Sequence, residues 1–148
     1  MKPDNEKQMK EYIREIWTEF NNTDPEDRKK IMDHTFEFII DDIGSGWEYV
    51  SIILDEKIKR NYRVSYIGPT VTGFVRTFMT LGLNQTEQFT WLDEPSYIEY
   101  PWLLSRQKDV IYVEAPGIKK GFYISYDYLK KQIRKGFEEM YKWEIVGI

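Results

Sequence analysis

Hydrophobic residues at the start of the chain recur every three to four positions, which is the spacing of an amphipathic helix. Between about Asp4 and Phe20 they are separated mainly by Lys and Glu. The polar segment that follows contains Thr23 and Asp24, either of which suits an N-cap, and Pro25, which suits the first turn of a new helix. The pattern therefore predicts one long helix and then a short one.

After His34 the apolar residues alternate with polar ones, which favours a strand from about Phe36 to Asp41. A turn at 44–46 is followed by residues 47–54, which are rich in aromatic and β-branched side chains and predict a second strand. A turn at 55–57 and renewed alternation over 60–66 predict a strand that pairs back as a hairpin.

The segment from Thr70 to Leu81 fits two structures. Its apolar residues follow helical spacing, and Gly82 suits a C-terminal cap. Its many β-branched residues also fit a strand. We predict a helix, because the segment is longer than a typical strand and has helix start and stop signals at its two ends.

The second half predicts a three-strand meander over residues 85–92, 97–105 and 110–114. Pro101 donates no backbone hydrogen bond, which indicates that its strand is an edge strand or carries a bulge. A short extended piece at 122–124 leads to a last helix with Ser125 as N-cap. Gly136 lies inside that helix and would allow another element to approach closely.

Strand runs and helices that do not alternate regularly are typical of the α+β class with antiparallel sheets. We predict one domain over residues 1–148. It would contain a two-to-three-strand hairpin and a three-strand meander, packed against N-terminal, middle and C-terminal helices.

The composition excludes several classes of chemistry. The chain contains no cysteine, so disulfides and thiolate chemistry are absent. Its polar start lacks the apolar core of a signal peptide, and no apolar run approaches the roughly 18 residues of a membrane helix. These features predict a cytoplasmic protein without a membrane partner.

No catalytic or metal-binding motif stands out. His34 is the single histidine, and Asp33, Asp41 and Asp42 near it do not have the spacing of a calcium loop. Three pairs of adjacent acidic residues lie beside predicted turns: Asp41-Asp42, Asp55-Glu56 and Asp93-Glu94. Adjacent strand residues point to opposite faces, so these pairs do not by themselves form a catalytic dyad. We expect a non-enzymatic protein with no cofactor and no metal.

Charge is unevenly distributed. There are 12 basic and 19 acidic side chains up to Pro101, and nine basic and six acidic side chains after it. The stretch from Asn84 to Pro101 contains four acidic residues and no basic one. An acidic chain repels phosphate backbones and attracts basic proteins. We therefore expect a basic protein partner and no nucleic acid, although Lys119-Lys120 and the lysines of the last helix form a local basic zone.

The predicted hairpin from Phe89 to Trp102 is the most distinctive segment. Aromatic rings provide anchors and carboxylates provide steering in protein interfaces. The alternative is that the rings fill the core and stabilise the sheet as cross-strand pairs. The candidate binding residues are Trp91, Asp93, Glu94, Tyr97, Glu99, Tyr100 and Trp102.

The same hairpin resembles a group of small bacterial proteins with a W-x-D-E-P…W hairpin, some of which are similar to immunity proteins of toxin competition systems. The resemblance is carried by Trp91-Leu92-Asp93-Glu94-Pro95, Tyr100-Pro101-Trp102 and the turn and strand from Arg106 to Val113, and it covers at most Trp47 to Val113. It implies a non-enzymatic inhibitor and brings no catalytic residues.

Three functional hypotheses follow from the sequence. The first is a protein-binding domain of the immunity type. The second is a carboxylate-based hydrolase or small-ligand-binding protein, which requires two carboxylates that converge in one pocket. The third is a structural domain that forms a homodimer through its helices or an edge strand.

Overall fold

The computed structural model describes residues 5–44, 46–66, 68–94 and 96–146. Contacts divide the chain into two compact units, Met1–Asp33 and His34–Ile148. Among the described residues, the first unit holds two helices, and the second holds two helices and two antiparallel sheets. The predicted α+β class is thereby confirmed, whereas the single domain stays a prediction.

The bounds of the elements agree with most of the predicted segments. The helices are α1 (Glu6–Asn21), α2 (Pro25–Ile31), α3 (Val71–Met79) and α4 (Tyr126–Val146). The strands are β1 (Phe36–Gly44), β2 (Trp47–Leu54), β3 (Ile58–Ser65), β4 (Thr86–Asp93), β5 (Ile98–Gln107), β6 (Val110–Glu114) and β7 (Phe122–Ser125). Ser45 in the predicted turn and Pro95 in the hairpin motif lie outside the described residues. No helix within the described part of the chain is long and apolar enough to cross a membrane.

The turn between α1 and α2 is held by one arginine. Asp24 occupies the N-cap and Pro25 the first turn of α2, as predicted. The guanidinium of Arg28 donates to the carbonyl oxygens of Asn21 at 2.7 Å and Thr23 at 2.8 Å. Two donors on one rigid group fix the direction in which the chain leaves α1.

The first sheet has the strand order β1-β2-β3. Alternation places Val50 and Ile52 of β2 in the core, and it places Tyr49 and Ser51 on the opposite face, called the outer face below. The register of β1 shifts between Ile40 and Asp42, which is the mark of a bulge centred on Asp41.

The second sheet has the order β4-β5-β6-β7, so β7 extends the predicted meander by a fourth strand. The prediction of an edge strand or a bulge at Pro101 is wrong as stated. β5 is an interior strand, and no shift of register is found where Pro101 pairs with Thr90. However, β6 pairs only with the Leu103–Gln107 part of β5. Pro101 therefore pairs with β4 but not with β6. On the side facing β6, the missing N–H of proline leaves no hydrogen bond of the sheet unmade.

The segment after Pro69 is a helix, as predicted. Thr70 caps α3 by accepting a hydrogen bond from the Gly73 amide at 3.0 Å. The predicted cap at Gly82 is wrong, because α3 ends at Met79 with Thr80 at the C-cap. Gly82 lies in the following loop, where its amide donates to the side chain of Gln85 at 2.6 Å.

The last helix is anchored at its start and packed tightly in its middle. Asp109 accepts hydrogen bonds from the Ser125 hydroxyl at 2.8 Å and the Asp127 amide at 3.0 Å, so the β5–β6 turn helps to cap α4. Ser125 also accepts from the amide of Tyr128, as expected of an N-cap. A Cβ on Gly136 would overlap the backbone carbonyl of Phe38. The predicted close approach at Gly136 is therefore confirmed, and it seats α4 against β1.

Candidate protein-binding site

The β4–β5 hairpin carries all seven candidate residues. Its register pairs Trp91 with Tyr100 and Asp93 with Ile98. Paired residues of an antiparallel ladder lie on one face, so these four share the face that leads into the core. Glu99 lies on the other face by strand alternation.

The two tryptophans are core residues. Trp91 is 0% exposed and Trp102 is 3% exposed, and their rings lie 5.4 Å apart. Both also contact Phe74 of α3, at ring distances of 4.9 Å and 4.6 Å. Trp91 donates from Nε1 to the Thr70 carbonyl at 3.3 Å, while the Trp102 N–H has no acceptor among the described residues. Neither ring is therefore available to a binding partner, because both are buried against each other and against Phe74.

Asp93 is also engaged within the protein. Its carboxylate accepts a hydrogen bond from Nε of Arg63 at 2.8 Å, and its side chain is 8% exposed. The same guanidinium lies 5.1 Å from the ring centre of Trp47. A cation between a carboxylate and an indole face is held by charge and by the ring quadrupole together. The charge of Asp93 is thus largely compensated before any partner arrives.

Two side-chain hydrogen bonds hold the end of the hairpin. The indole N–H of Trp47 donates to the Glu94 carbonyl at 2.8 Å. The Ser96 hydroxyl donates to the Asp93 carbonyl at 2.8 Å. These bonds hold the base of the turn against the first sheet, so the residues that follow project from a rigid support.

The end of this hairpin, called the hairpin tip below, comprises the half-buried Glu94 and the exposed residues 96–99. Tyr97 is 77% exposed and has a left-handed φ of 60°. Ile98 beside it is 49% exposed, and Glu99 is exposed as well. Three of the seven candidate residues (Glu94, Tyr97 and Glu99) therefore lie together on this tip, and Tyr100 lies half-buried next to it.

A cleft of about 510 Å³ opens on the outer face of the first sheet, next to the hairpin. It is called the outer cleft below. Polar and aromatic side chains from three strands of the first sheet meet Tyr100 of β5 there. Its lining comprises Asp41, Tyr49, Val50, Asn61, Tyr62, Arg63 and Tyr100.

One row of side chains crosses all three strands at the floor of the outer cleft. Ser51, 1% exposed, lies between Asp41 of β1 and Asn61 of β3. Its hydroxyl is 2.6 Å from a carboxylate oxygen of Asp41 and 2.6 Å from the side-chain oxygen Oδ1 of Asn61. A hydroxyl has one proton, so Ser51 donates to one of these two oxygens at a time. The row places the Asp41 carboxylate beside a buried hydrogen-bond donor.

The electrostatics of the outer cleft are set by Asp93. The hydrogen bond that the Arg63 guanidinium donates to Asp93 raises the pKa of Arg63, and the negative charge of Asp93 adds to this shift. Partial burial raises the pKa of the Tyr100 phenol, with a further contribution from the Asp93 charge. Arg63 is therefore a permanent cation and Tyr100 a neutral phenol at physiological pH.

A second groove, of about 320 Å³, lies between β1 and α4. Its lining includes the carboxylates of Glu37, Glu56 and Glu139 together with Lys135. The three carboxylates are exposed to water. In this groove, carboxylates from three separate segments of the chain reach one opening.

The single histidine has a partner that the sequence did not indicate. Nδ1 of His34 lies 2.9 Å from the carboxylate of Asp55, whose other oxygen accepts from the Thr35 amide at 3.0 Å. The pair links the start of β1 to the β2–β3 turn. Within the described ranges, no group of three or more His, Cys, Asp or Glu side chains is arranged to hold a metal ion.

Sequence reasoning missed the residues of the outer cleft on the first sheet. Asp41, Tyr49, Asn61 and Arg63 are spread over 23 positions of the chain and converge only through strand register. The alternation of β2 and β3 was visible in the sequence, and it would have placed Tyr49 and Arg63 on one face. The opposing contribution of Tyr100 from the second sheet had no sequence signal.

Comparison of the chain with models of protein families, with curated proteins and with solved structures gave no match.

Proposed function

We propose that this chain is a non-enzymatic protein-binding domain whose contact surface includes the hairpin tip. The observation that carries the proposal is the state of Tyr97, which is 77% exposed and left-handed. A residue with a bulky side chain pays roughly 1–2 kcal/mol for that backbone conformation. A ring that is mostly exposed offsets little of this cost by packing within the fold.

Strained backbone conformations are enriched at binding and active sites. Tyrosine supplies a large, stiff contact area and one hydrogen-bonding group, which is why it is enriched at protein interfaces. Ile98 continues the apolar surface, and the bonds from Trp47 and Ser96 hold its support rigid. A rigid, preorganised anchor loses little entropy on binding.

The charge around the tip favours a basic partner. Glu94 and Glu99 flank Tyr97, and the chain from Asn84 to Pro101 contains no basic residue. Carboxylates on an exposed rim accelerate encounter with a cationic surface. Asp93 is left out of this steering, since Arg63 already compensates it.

Among protein-binding roles, we propose an immunity-type inhibitor that covers a functional surface of a toxin. The resemblance of the W-x-D-E-P…W hairpin motivates this role, and the exposed, rigid, acidic tip supports it. An inhibitor of this kind needs a preformed surface and no catalytic group of its own.

A photo-crosslinking residue placed at position 97 of the full chain tests the proposal directly. The protein is incubated with lysate of the source organism, irradiated and analysed by mass spectrometry. The matched control carries the same residue at Leu83, which is 66% exposed at the opposite end of the hairpin. We expect one dominant product from position 97, and no such product from position 83.

Two results would contradict the proposal. Equal product patterns from positions 97 and 83 would mean that the tip has no preferred partner. A dominant product with twice the mass of the chain, accompanied by a mass in solution that rises with concentration, would identify the homodimer hypothesis instead.

A second candidate function rests on the β1–α4 groove. The carboxylates of Glu37, Glu56 and Glu139 line it together, which meets the first requirement of a carboxylate-based hydrolase or a ligand-binding protein. A screen of glycosides and small cations against the native chain and the Glu37→Gln variant tests this function. Turnover or saturable binding that is lost in the variant would favour it over the protein-binding proposal.

A further inference from the structure

We infer that the outer cleft receives one basic side chain, lysine or arginine, of the protein that the hairpin tip binds. The inference rests on the proposed function and adds to it the chemical class of the residue recognised. It is carried by the charge of the outer cleft, the fixed position of one carboxylate, two aromatic rings and the continuity with the tip.

The outer cleft contains one carboxylate whose charge is not matched by a cation among the described residues. Arg63 is the cation of the outer cleft, and its charge is matched by Asp93. Asp41 accepts a hydrogen bond from Ser51, and none of the described basic side chains forms an ion pair with it. The outer cleft therefore carries the uncompensated negative charge of Asp41, which attracts a cation and repels phosphate or carboxylate ligands.

The Asp41 carboxylate lies beside a fixed, buried donor. The Ser51 hydroxyl, 1% exposed and 2.6 Å away, is the group to which this carboxylate hydrogen-bonds across β1 and β2. The bulge of β1 at Asp41 directs this residue out of the regular alternation of its strand. A carboxylate that is already held by a hydrogen bond loses little conformational entropy when a cation binds to it.

Two tyrosine rings form part of the wall of the outer cleft. Tyr49, 40% exposed, and Tyr100 both line the outer cleft. Aromatic faces attract ammonium and guanidinium groups, and the alkyl stem of lysine or arginine packs against them. A volume of about 510 Å³ leaves room for one such side chain and its bridging waters.

The hairpin tip and the outer cleft are connected along β5. Ile98 of the hairpin tip and Tyr100 of the outer cleft lie two positions apart on β5 and so share one face of that strand. A partner that covers Tyr97 and Ile98 therefore reaches the edge of the cleft along one strand. This continuity favours a side chain of the partner over a free small cation.

Capped tripeptides test the inference on the full chain without knowledge of the partner. Acetyl-Gly-Lys-Gly-amide and its arginine analogue are titrated against the ¹⁵N-labelled protein, with the glutamine analogue as the uncharged control. We expect saturable shifts at the amides of Tyr49 and Asn61 with the basic peptides alone. Asp41→Asn should weaken their binding about tenfold, since a hydrogen bond to a charged group is lost.

The variants are chosen so that the fold is preserved. Asn at position 41 retains an oxygen that can accept from Ser51, and a matched thermal transition would verify folding. Glu138→Gln is the control, because it removes an exposed carboxylate of α4 that lines neither the outer cleft nor the β1–α4 groove. Tyr49→Ala serves as a second variant and should also weaken binding of the basic peptides.

The outcomes separate this inference from the proposed function. Equal binding of the glutamine peptide, or unchanged affinity in Asp41→Asn, would overturn the basic-residue inference even if position 97 crosslinks a partner. Binding of the basic peptides without any crosslinked partner at position 97 would overturn the proposed function, and with it the assignment of the cation to a protein.

Discussion

Nε of Arg63 donates to the carboxylate of Asp93 at 2.8 Å, and this bond joins the edge strand β3 of the first sheet to β4 of the second. Because the Asp93 side chain is 8% exposed and Arg63 is 38% exposed, the two partners are not equivalent. Arg63→Ala leaves a buried carboxylate without its cation, whereas Asp93→Asn leaves a guanidinium that water can reach.

We therefore predict that Arg63→Ala lowers the free energy of unfolding more than Asp93→Asn does. Urea unfolding followed by tryptophan fluorescence measures both changes. Equal losses would show that the contact is no more than a surface pair. The same asymmetry makes charge reversal at Asp93 a poor test of binding, since it would damage the fold first.

Glu99 is the better site for charge reversal. It is exposed and lies on the face of β5 away from the core, so Glu99→Lys should leave the thermal transition almost unchanged. We predict slower association with the basic partner and a weaker dependence of the association rate on salt. Surface plasmon resonance at two ionic strengths provides the measurement. Glu138→Lys on α4 is the matched control, and an equal effect there would mean that only net charge matters.

Tyr97→Gly should separate stability from binding. Glycine adopts a φ of 60° without steric cost, so the variant should gain about 0.5–1 kcal/mol in the free energy of unfolding. It should also lose partner binding with the aromatic ring. Chemical denaturation and the crosslinking assay measure the two effects. A variant that loses stability would show that the Tyr97 ring supports the fold.

Gly136→Ala should destabilise the protein although alanine favours helices. The helix propensity of alanine contributes about 1 kcal/mol relative to glycine. Overlap of the new Cβ with the carbonyl of Phe38 forces α4 away from β1, and overpacking of this kind costs roughly 1–3 kcal/mol. We predict a net loss, measured as a lower melting temperature. A gain would mean that α4 can shift along β1 without cost.

Alkaline pH should destabilise the fold through buried tyrosines. Burial raises the pKa of Tyr62 and of Tyr126, while Arg60 and Arg106 respectively oppose the shift. A raised pKa of the folded state means that the stabilising effect of the neutral phenol is complete below the unfolded pKa of about 10 and is lost as pH rises above it. Urea midpoints between pH 9 and 11 measure this slope.

Tyr126→Phe is the diagnostic variant for this slope. It removes one ionisable group and the hydrogen bond from its hydroxyl to the Phe78 carbonyl at 2.7 Å. We predict lower stability at pH 8, by about 1 kcal/mol, but a shallower decline above pH 9. An unchanged slope would place the alkaline sensitivity elsewhere in the chain.

Much of the fold could be predicted because local patterns and tertiary packing agree. β2 and β6 begin and end where alternation and β-branched residues indicate, at Trp47–Leu54 and Val110–Glu114. The helix α3 was harder, because β-branched residues competed with helical spacing. Thr70 at the N-cap and burial of one face, including Phe74 and Phe78, decided in favour of the helix.

The candidate site could be predicted only in part. The sequence indicated the hairpin, but packing against the rest of the fold decides which of its rings enter the core, and the alternation of the two strands does not reveal it. Trp91 and Trp102 fell on the buried face, while Tyr97 and Glu99 did not. The outer cleft needed the β1 bulge and contacts between two sheets, which are properties of the folded chain.

The edge-to-face pair of Trp91 and Trp102, with ring centres 5.4 Å apart and planes at 80°, has a spectroscopic consequence. Indoles this close couple their electronic transitions, and the resulting circular dichroism depends on their mutual orientation. Since both rings belong to the hairpin that carries Tyr97, one on each strand, the native chain contains a label-free optical reporter of any event that moves these strands relative to each other.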